Sequence, residues 1–423
     1  MKKVVIYGAG GNAKKAYKEC VALGYDVVAF CDSDSQKIGV NICGLKVESQ
    51  IEIKQKYKDS FLVLISPEYP LYLEIYDQII RDNFVTEERI LKVGKRKYIS
   101  CDSLEKVAVI KNKGIFACCN LENIRNAAPY VSWNNTINET VKDFVKQRDL
   151  YIKGLQYDDK NNPCIGCPAL HMADWDLDRR IKVVALSLSY PCQLACSYCE
   201  EETNAKHIKE NRTAIEQAER IDISELMECL KDSGKLKLSE PIQLSGGEIT
   251  VAPKKKELLN AVSDYPLQVF TNAIIYDGEI ASIVASNDKS YLNVSIDAGT
   301  AETYKKVKGK DEFENVVSTL MKYHESGARI LLKYIILPDN ASADDYDGFL
   351  DVAEKIDAIN VYISCDITVA VNDITSSIID GAIYMAKGCI ERHINYTIMP
   401  YFGDKNVKYI LDEVKSFCET MRI

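Results

Sequence analysis

The sequence lacks three features that would each assign a class of protein. It has no apolar run long enough to cross a bilayer, so we do not expect a membrane protein. Its 53 Lys and Arg residues are outnumbered by 62 Asp and Glu residues, and the net charge of −9 argues against nucleic acid or an anionic membrane as a partner. Met1-Lys2-Lys3 leads directly into a strand pattern, so no secretory signal is expected. These absences predict a cytoplasmic protein.

Cysteine, by contrast, is abundant, with 15 residues. An odd count without secretory features argues against a disulfide framework and favours metal binding in a reducing compartment. The chain has 423 residues, 47% of them hydrophobic and 27% charged, which is enough for two or three globular domains. The strand and helix patterns predict domains at 1–95, 96–180 and 181–423.

The first of these regions has the pattern of a small parallel sheet with a glycine-rich loop. A predicted strand, Lys2 to Tyr7, is followed by the loop and then by a helix from Lys14 to Leu23. Glycines at such a junction let the backbone approach a phosphate, which the helix N-terminus stabilises. A second predicted strand ends at an aspartate placed to bond a ribose hydroxyl. The candidate nucleotide-binding residues are therefore Gly8, Gly10 and Asp32.

The same region resembles a family of small domains found at the front of bacterial sugar acyltransferases. The resemblance is carried by the run from Val27 to Asp34, by Lys37-Ile38-Gly39 and by Cys43-Gly44-Leu45-Lys46-Val47. It implies a Rossmann-like domain that binds a nucleotide sugar. A degenerate fold used for packing or dimerisation is the alternative, and an NAD site is a third reading.

The middle region contains two pairs of cysteines, Cys118-Cys119 and Cys164-Ile165-Gly166-Cys167. Prolines flank the second pair, and two thiolates on one tight turn can bind a single ion or cluster. The candidate ligands are Cys118, Cys119, Cys164 and Cys167. An auxiliary iron–sulfur cluster, a structural zinc and paired thiols are the three possibilities.

The spacing C-x3-C-x2-C, formed by Cys192, Cys196 and Cys199, follows an apolar run that predicts a buried strand. Soft thiolates at this spacing favour an iron–sulfur cluster. Three thiolates on a four-iron cluster leave one iron open to a ligand. The alternative is a zinc site with three cysteines and His207 as the fourth ligand.

This spacing resembles the signature of the radical SAM superfamily. The resemblance implies a [4Fe–4S] cluster on the three cysteines and S-adenosylmethionine on the open iron, which together generate a 5′-deoxyadenosyl radical. Leu244-Ser245-Gly246-Gly247-Glu248 resembles the family's GGE motif, and Ser295-Ile296-Asp297 resembles its S-x-D segment. The resemblance assigns cofactor contacts to Tyr198, Gly246, Gly247, Glu248, Ser295 and Asp297. For Asp297, a cap on the next helix is the alternative.

From residue 181 onward predicted strands alternate with predicted helices, which is typical of a partial (β/α)6 barrel. Reactive groups in such a barrel lie at the carboxyl ends of the strands, where the GGE and S-x-D segments fall. The predicted fold class is therefore α/β, with a Rossmann-like sheet followed by a partial barrel. The cysteine pairs of residues 96–180 resemble the SPASM and twitch segments of the superfamily, although those usually follow the barrel. They imply a second cluster.

The sequence thus predicts a radical SAM oxidoreductase or lyase that abstracts hydrogen from a sugar or nucleotide sugar in surface-polysaccharide synthesis. A peptide substrate is the alternative within that family, and flavodoxin or ferredoxin would be the reducing partner. A zinc-stabilised nucleotide-binding protein is the second class of function. A nicotinamide dehydrogenase is the third.

Overall fold

The computed structural model describes residues 2–68, 71–91, 97–118, 130–156, 162–167, 169–174, 180–199, 204–209 and 211–421. The chain divides into two compact units. Unit 1 comprises residues 1–106, 117–129 and 145–180, and unit 2 comprises residues 107–116, 130–144 and 181–423. Residues 96–180 therefore contribute to both units, and the domain boundaries drawn from the sequence stay a prediction.

Unit 1 contains a largely parallel sheet and a short antiparallel ribbon. Its elements are β1 (Lys3–Tyr7), α1 (Ala13–Ala22), β2 (Asp26–Cys31), β3 (Asn41–Ile42), β4 (Leu45–Glu48), α2 (Gln50–Tyr57), β5 (Leu62–Ile65), α3 (Leu71–Arg81), β6 (Lys97–Ser100), α4 (Asp102–Lys106) and β10 (His171–Asp174). Among the described residues the first sheet has the order β3-β4-β2-β1-β5, and all its pairs except β3–β4 are parallel. β6 and β10 pair antiparallel.

The parallel sheet of unit 1 is buried on both faces, as an apolar strand without alternation predicts. Val5 and Tyr7 of β1 belong to one apolar cluster, whereas Val4 and Ile6 belong to the cluster on the opposite face. The predicted parallel sheet is confirmed. The likeness to nucleotide-sugar-binding domains stays a prediction.

Unit 2 alternates strands and helices over most of its length. Its strands are β7 (Val107–Lys111), β8 (Gly114–Phe116), β9 (Tyr130–Ser132), β11 (Val183–Ser187), β12 (Ile242–Ser245), β13 (Leu267–Thr271), β14 (Tyr291–Ser295), β15 (Ile330–Ile336), β16 (Asn360–Cys365) and β17 (Tyr396–Ile398). Its helices are α6 (Arg212–Glu219), α7 (Ile223–Asp232), α8 (Lys255–Val262), α9 (Gly278–Ala285), α10 (Ala301–Lys308), α11 (Phe313–Glu325), α12 (Ala343–Lys355), α13 (Ser376–Glu391) and α14 (Asp404–Met421). The remaining helix, α5 (Ile137–Gln156), contributes residues to both units.

Within the described ranges these strands form one sheet in the order β17-β16-β15-β14-β13-β12-β11-β7-β8-β9. Every pair from β17 to β7 is parallel, and β8 and β9 extend the edge as an antiparallel meander. Because all carboxyl ends of parallel strands lie at one edge, the loops after β11, β12, β13 and β14 are brought together. The α/β fold class is confirmed. No helix in the described part of the chain has the length and apolarity needed to span a membrane.

Candidate active site

The loop that carries Cys192, Cys196 and Cys199 follows β11 at the carboxyl edge of the sheet, and all three side chains are half-buried. A turn closes the loop at its end, because the Cys199 N–H donates to the Cys196 carbonyl oxygen at 3.3 Å. The structure therefore places the three predicted ligands on one loop at the edge where a barrel has its reactive groups.

The end of α10 holds this cysteine loop in place. The Ala195 N–H donates to the Lys308 carbonyl oxygen at 3.1 Å, and the Ser197 N–H donates to the Val307 carbonyl oxygen at 2.8 Å. These carbonyls belong to the last turn of the helix, which has no intrahelical partners for them. Gly309 ends α10 in the left-handed region, with φ of 76°. The cysteine loop thus satisfies the helix end and is fixed by it.

The two glycines of the GGE motif pack against the chain segment that leads into the cysteine loop. Their φ angles are 94° at Gly246 and 119° at Gly247. A Cβ atom would lie 2.2 Å from the carbonyl oxygen of Leu188 at Gly246, and 2.2 Å from that of Tyr190 at Gly247. The sequence predicted that these glycines admit a ligand. The structure shows that they admit the backbone of the preceding segment, and their contact with a cofactor stays a prediction.

Replacing Gly246 by alanine is expected to destabilise unit 2 by roughly 3 kcal/mol or more, because backbone strain and overlap with Leu188 add. Gly234→Ala is the matched control, since Gly234 has φ of 68° and its Cβ would meet no described atom within 4 Å. That control isolates the cost of the left-handed backbone, about 1–2 kcal/mol. Unfolding temperatures measured by calorimetry should rank wild type above Gly234→Ala and Gly234→Ala above Gly246→Ala. Equal losses would show that the close approach at Gly246 is not formed.

Glu248 lies behind the cysteine loop with a side chain that is only 1% exposed. Its Oε1 accepts the backbone N–H and the hydroxyl of Thr250, at 3.1 and 2.8 Å, and the hydroxyl of Thr271 at 2.8 Å. Its Oε2 accepts the Asn272 N–H at 2.6 Å. Burial raises the pKa of Glu248, and these donors oppose the shift. The carboxylate therefore joins the ends of β12 and β13, and Oε2 keeps room for a second donor.

Next to this carboxylate, the sulfur of Cys192 has two N–H donors beside it. Burial raises the pKa of its thiol to about 11, whereas the Leu194 N–H and the Asn272 side chain lower it. The Asn272 amide nitrogen lies 3.7 Å from the sulfur. Both side-chain amide atoms of the neighbouring Gln193 are buried without a hydrogen-bond partner among the described residues. A buried amide without hydrogen-bond partners costs free energy. The Gln193 amide therefore indicates that a polar group of a ligand binds at this place.

On the other side of the loop, Tyr198, Asp297 and Lys308 form a buried network. The Asp297 carboxylate accepts from the Tyr198 hydroxyl and from Lys308 Nζ, each at 2.5 Å, and from the Ile335 N–H at 2.6 Å. Asp297 is 0% exposed, Lys308 is 2% exposed, and φ of Asp297 is 54°. Burial lowers the pKa of Lys308, but the charges of Asp297 and Cys196 and the hydrogen bond to Asp297 together raise it more, so the net shift of the pKa is upward. The Lys308 amine is therefore charged.

This network bears on the predicted roles of Asp297 and Tyr198. The helix-cap alternative for Asp297 is wrong, because the hydroxyl of Thr300 caps α10 by accepting the Thr303 N–H. The Tyr198 ring packs on an apolar cluster of Val307, Ile335 and Leu337. Its contact with a cofactor stays a prediction, as does that of Ser295, which lies half-buried at the end of β14.

Lys308 is the site residue that sequence reasoning missed. Three lysines fall in the last turn of α10, Lys305, Lys306 and Lys308, and lysine at a helix C-terminus is ordinary. Lys305 and Lys306 make exposed ion pairs, whereas Lys308 points into the sheet edge. The rotation of α10 about its axis, relative to the cysteine loop, decides which of the three lysines faces the sheet edge. The residues around Lys308 do not determine that rotation.

The zinc alternative at this loop stays a prediction. His207, its proposed fourth ligand, is exposed. In the part of the chain that the structure describes, no three His, Cys, Asp or Glu side chains are arranged to hold a metal ion.

In unit 1 the predicted nucleotide-binding residues lie together, but the carboxylate of Asp32 is already engaged. It accepts the Ala9 N–H at 2.7 Å and the Asp34 N–H at 2.9 Å, and it pairs with Lys37 at 3.3 Å. A Cβ at Gly8 would lie 2.5 Å from the Pro67 ring, whereas one at Gly10 would meet no described atom within 4 Å. Gly8 therefore serves local packing. A nucleotide at this loop stays a prediction.

Of the cysteines predicted to hold a second metal centre, Cys118, Cys164 and Cys167 are buried in unit 1. Cys119 lies outside the described residues. A further buried cysteine, Cys101, directly follows β6 in the same unit, and sequence reasoning did not single it out.

Residues 186–352 match the family model of the Radical SAM superfamily. The chain therefore contains a radical SAM domain, and the superfamily uses a [4Fe–4S] cluster with S-adenosylmethionine. It is 24% identical over 172 residues to a GTP 3′,8-cyclase of Synechocystis, which is 40% of this chain and 50% of the relative. It is 26% identical over 174 residues to mycofactocin maturase MftC of Mycobacterium tuberculosis, covering 40% of this chain and 41% of the relative. The chain spans about half the length of the curated relatives it matches.

Among solved structures, SuiB of Streptococcus suis bound to S-adenosylmethionine aligns with a TM-score of 0.40 at 12% identity, over 72% of each chain.

The residues at the cysteine loop fit the two cofactors of this superfamily. Three thiols suit a cluster with one open iron. The amide of Gln193 is buried without a partner in the described ranges, and Oε2 of Glu248 has spare acceptor capacity. The open iron would bind the carboxylate and amine of S-adenosylmethionine. Oε2 of Glu248 would accept a hydrogen bond from that amine.

Proposed function

We propose that this chain is a radical SAM enzyme whose cluster is held by Cys192, Cys196 and Cys199. The observation that carries the proposal is the position of these thiols at the carboxyl edge of a parallel barrel, next to the buried Glu248. When bound, the cluster and S-adenosylmethionine supply a 5′-deoxyadenosyl radical that removes a hydrogen atom from the substrate. An external one-electron donor such as flavodoxin or ferredoxin would reduce the cluster.

The chain's own residues would orient the cofactors and exclude water. Oε2 of Glu248 would accept a hydrogen bond from the amino group of S-adenosylmethionine, and the amide of Gln193 would gain its missing partner. Asn272 would fix the sulfur of Cys192 through its side-chain N–H. The Tyr198–Asp297–Lys308 network would hold the second half of the loop rigid, because its members hydrogen-bond one another away from water.

The face of the sheet that carries Ser295 supports a substrate with an anionic group. Ser295 is paired in register with Lys333, and Asn293 lies on the same face by strand alternation. Burial lowers the pKa of Lys333, and Asp297 opposes that shift only in part. Lys333 has no carboxylate at ion-pair distance among the described residues, and the buried Oδ1 of Asn293 has no partner there. An anion would satisfy the lysine.

Both kinds of substrate left open by the sequence, a peptide and a nucleotide sugar, carry such an anion as a carboxylate or a phosphate. The relative that is a GTP 3′,8-cyclase supports the phosphate. The nucleotide-sugar proposal rests otherwise on the resemblance of residues 1–95 alone.

The test is anaerobic reconstitution of the wild-type chain with iron and sulfide. We expect absorption near roughly 400 nm, typical of thiolate-bound iron–sulfur clusters, and 5′-deoxyadenosine after addition of S-adenosylmethionine and dithionite. GTP and short acidic peptides are then added separately. The one that increases cofactor cleavage in the wild type but less in Lys333→Met identifies the source of the anion. A colourless protein that binds zinc and releases no 5′-deoxyadenosine would establish the binding-protein alternative instead.

A further inference from the structure

Asn272, the first residue after β13, lies between the buried Glu248 and the sulfur of Cys192. Its backbone N–H donates to Oε2 of Glu248 at 2.6 Å, and its side-chain Nδ2 donates to Sγ of Cys192 at 3.7 Å. A thiol sulfur is a weak acceptor, but an ionised acceptor strengthens the bond. The contact is therefore worth most when the sulfur of Cys192 carries negative charge.

The amide of Asn272 has one orientation that satisfies its surroundings. Its Oδ1 accepts the backbone N–H of Ile274 at 3.0 Å. Exchanging the oxygen and the nitrogen of the amide would set two donors against each other at Ile274. The hydrogen bond to Ile274 therefore directs the N–H groups of the amide towards the sulfur of Cys192.

The turn that carries this amide is fixed by its neighbours and is strained. Ala273 is buried and has φ of 55°, a left-handed conformation that costs a residue with a Cβ about 1–2 kcal/mol. Its N–H donates to the hydroxyl of Thr271 at 3.1 Å. From α11, the exposed Asn315 side chain donates to the Ile274 carbonyl oxygen at 3.0 Å. Strain of this kind persists where the surrounding structure holds a group in a set position.

A purely structural turn would not require an amide at position 272. An aspartate or a serine would also accept the N–H of Ile274, because the turn uses only the side-chain oxygen. Neither of them would bring an N–H group to the sulfur of Cys192. The donor end of the Asn272 side chain is thus the part that the turn leaves without a role.

We propose that Asn272 raises the reduction potential of the iron–sulfur cluster on Cys192, Cys196 and Cys199, and so determines which electron donors can reduce it. The inference rests on the radical SAM function proposed above. Reduction transfers one electron from the external donor to the cluster, and no covalent bond forms or breaks. The added negative charge is shared with the cysteine sulfurs. Because hydrogen bonds to these sulfurs stabilise the more negative form, they raise the potential.

The test is a redox titration of the reconstituted chain, followed by electron paramagnetic resonance without S-adenosylmethionine. In Asn272→Leu the backbone N–H to Glu248 is kept and the donor to sulfur is lost. We expect about a tenfold lower ratio of reduced to oxidised cluster at a given potential, which is a shift of about 59 mV to more negative values for one electron. Asn315→Leu is the matched control, because Asn315 holds the same turn from outside. It should keep the wild-type potential.

Asn272→Asp separates the donor from the turn. It keeps the acceptor for the N–H of Ile274 but replaces the N–H groups at the sulfur by a carboxylate oxygen. Its potential should fall at least as far as that of Asn272→Leu. Iron and sulfide per chain are measured in every variant, so that the potential is compared only between loaded clusters.

The inference is overturned if both variants of Asn272 keep the wild-type potential, or if Asn315→Leu shifts it as far as Asn272→Leu does. Loss of iron from both variants would also overturn it, since the amide would then retain the cluster rather than tune it. These results leave the radical SAM function intact, because the wild type still carries its cluster and cleaves S-adenosylmethionine. A wild-type chain that forms no cluster would overturn the proposed function and this inference together.

Discussion

Replacing Cys192, Cys196 and Cys199 one at a time by alanine is expected to reduce cleavage of S-adenosylmethionine to the background of the dithionite reaction. Each thiolate would hold a different iron, so losing one exposes that iron to water and the cluster is not retained. No neighbouring cysteine of the described residues lies on the same loop to replace it. The measurement is 5′-deoxyadenosine formed per chain under anaerobic conditions.

Cys229→Ala is the matched control, because this half-buried cysteine of α7 lies in the same unit but outside the loop. It should retain wild-type cleavage. If a cysteine variant of the loop still released 5′-deoxyadenosine at the wild-type rate, the three-thiolate cluster site would be refuted.

Lys308→Met is expected to destabilise unit 2 by about 3–5 kcal/mol, because it leaves the buried carboxylate of Asp297 without its counter-charge. The loss should appear as a lower unfolding temperature and as a lower iron content after reconstitution, since the same helix end holds Ala195 and Ser197. Asp297→Asn combined with Lys308→Met removes both charges. We expect the double variant to be more stable than Lys308→Met.

Lys305→Met provides the comparison for this prediction. Lys305 lies one turn earlier on α10 and pairs with Asp311 at 3.4 Å, with both side chains largely exposed. Surface pairs of this kind contribute up to about 1 kcal/mol. A similar, small loss in Lys308→Met and Lys305→Met would mean that the buried ion pair is not formed.

The barrel could be predicted because its signals are local. Strand and helix periods repeat along residues 181–423, and parallel pairing follows from their alternation. The elements observed from β11 to β17 confirm this prediction. The sequence did not predict that Val107–Lys111 adds a parallel strand beside β11, because a short apolar segment does not indicate which strand it will pair with.

The candidate site was predictable to the extent that its residues are neighbours in the chain. Gly246, Gly247 and Glu248 were placed at a strand end, which the structure bears out. The reason for the glycines was not predictable, because the carbonyls of Leu188 and Tyr190 approach from another strand. The cap assigned to Asp297 as an alternative failed for the same reason, since its partners lie on α10 and β15.

By itself, the sequence determined the three-cysteine loop, the glycine–glycine–glutamate turn and the alternating barrel, because spacing and periodicity are properties of neighbouring residues. Tertiary structure alone decided that Lys308 meets Asp297 and Tyr198, and that the carbonyls of Leu188 and Tyr190 pack against the two glycines of the GGE motif. Such pairs depend on strand register and helix phase, which are fixed when distant segments pack together.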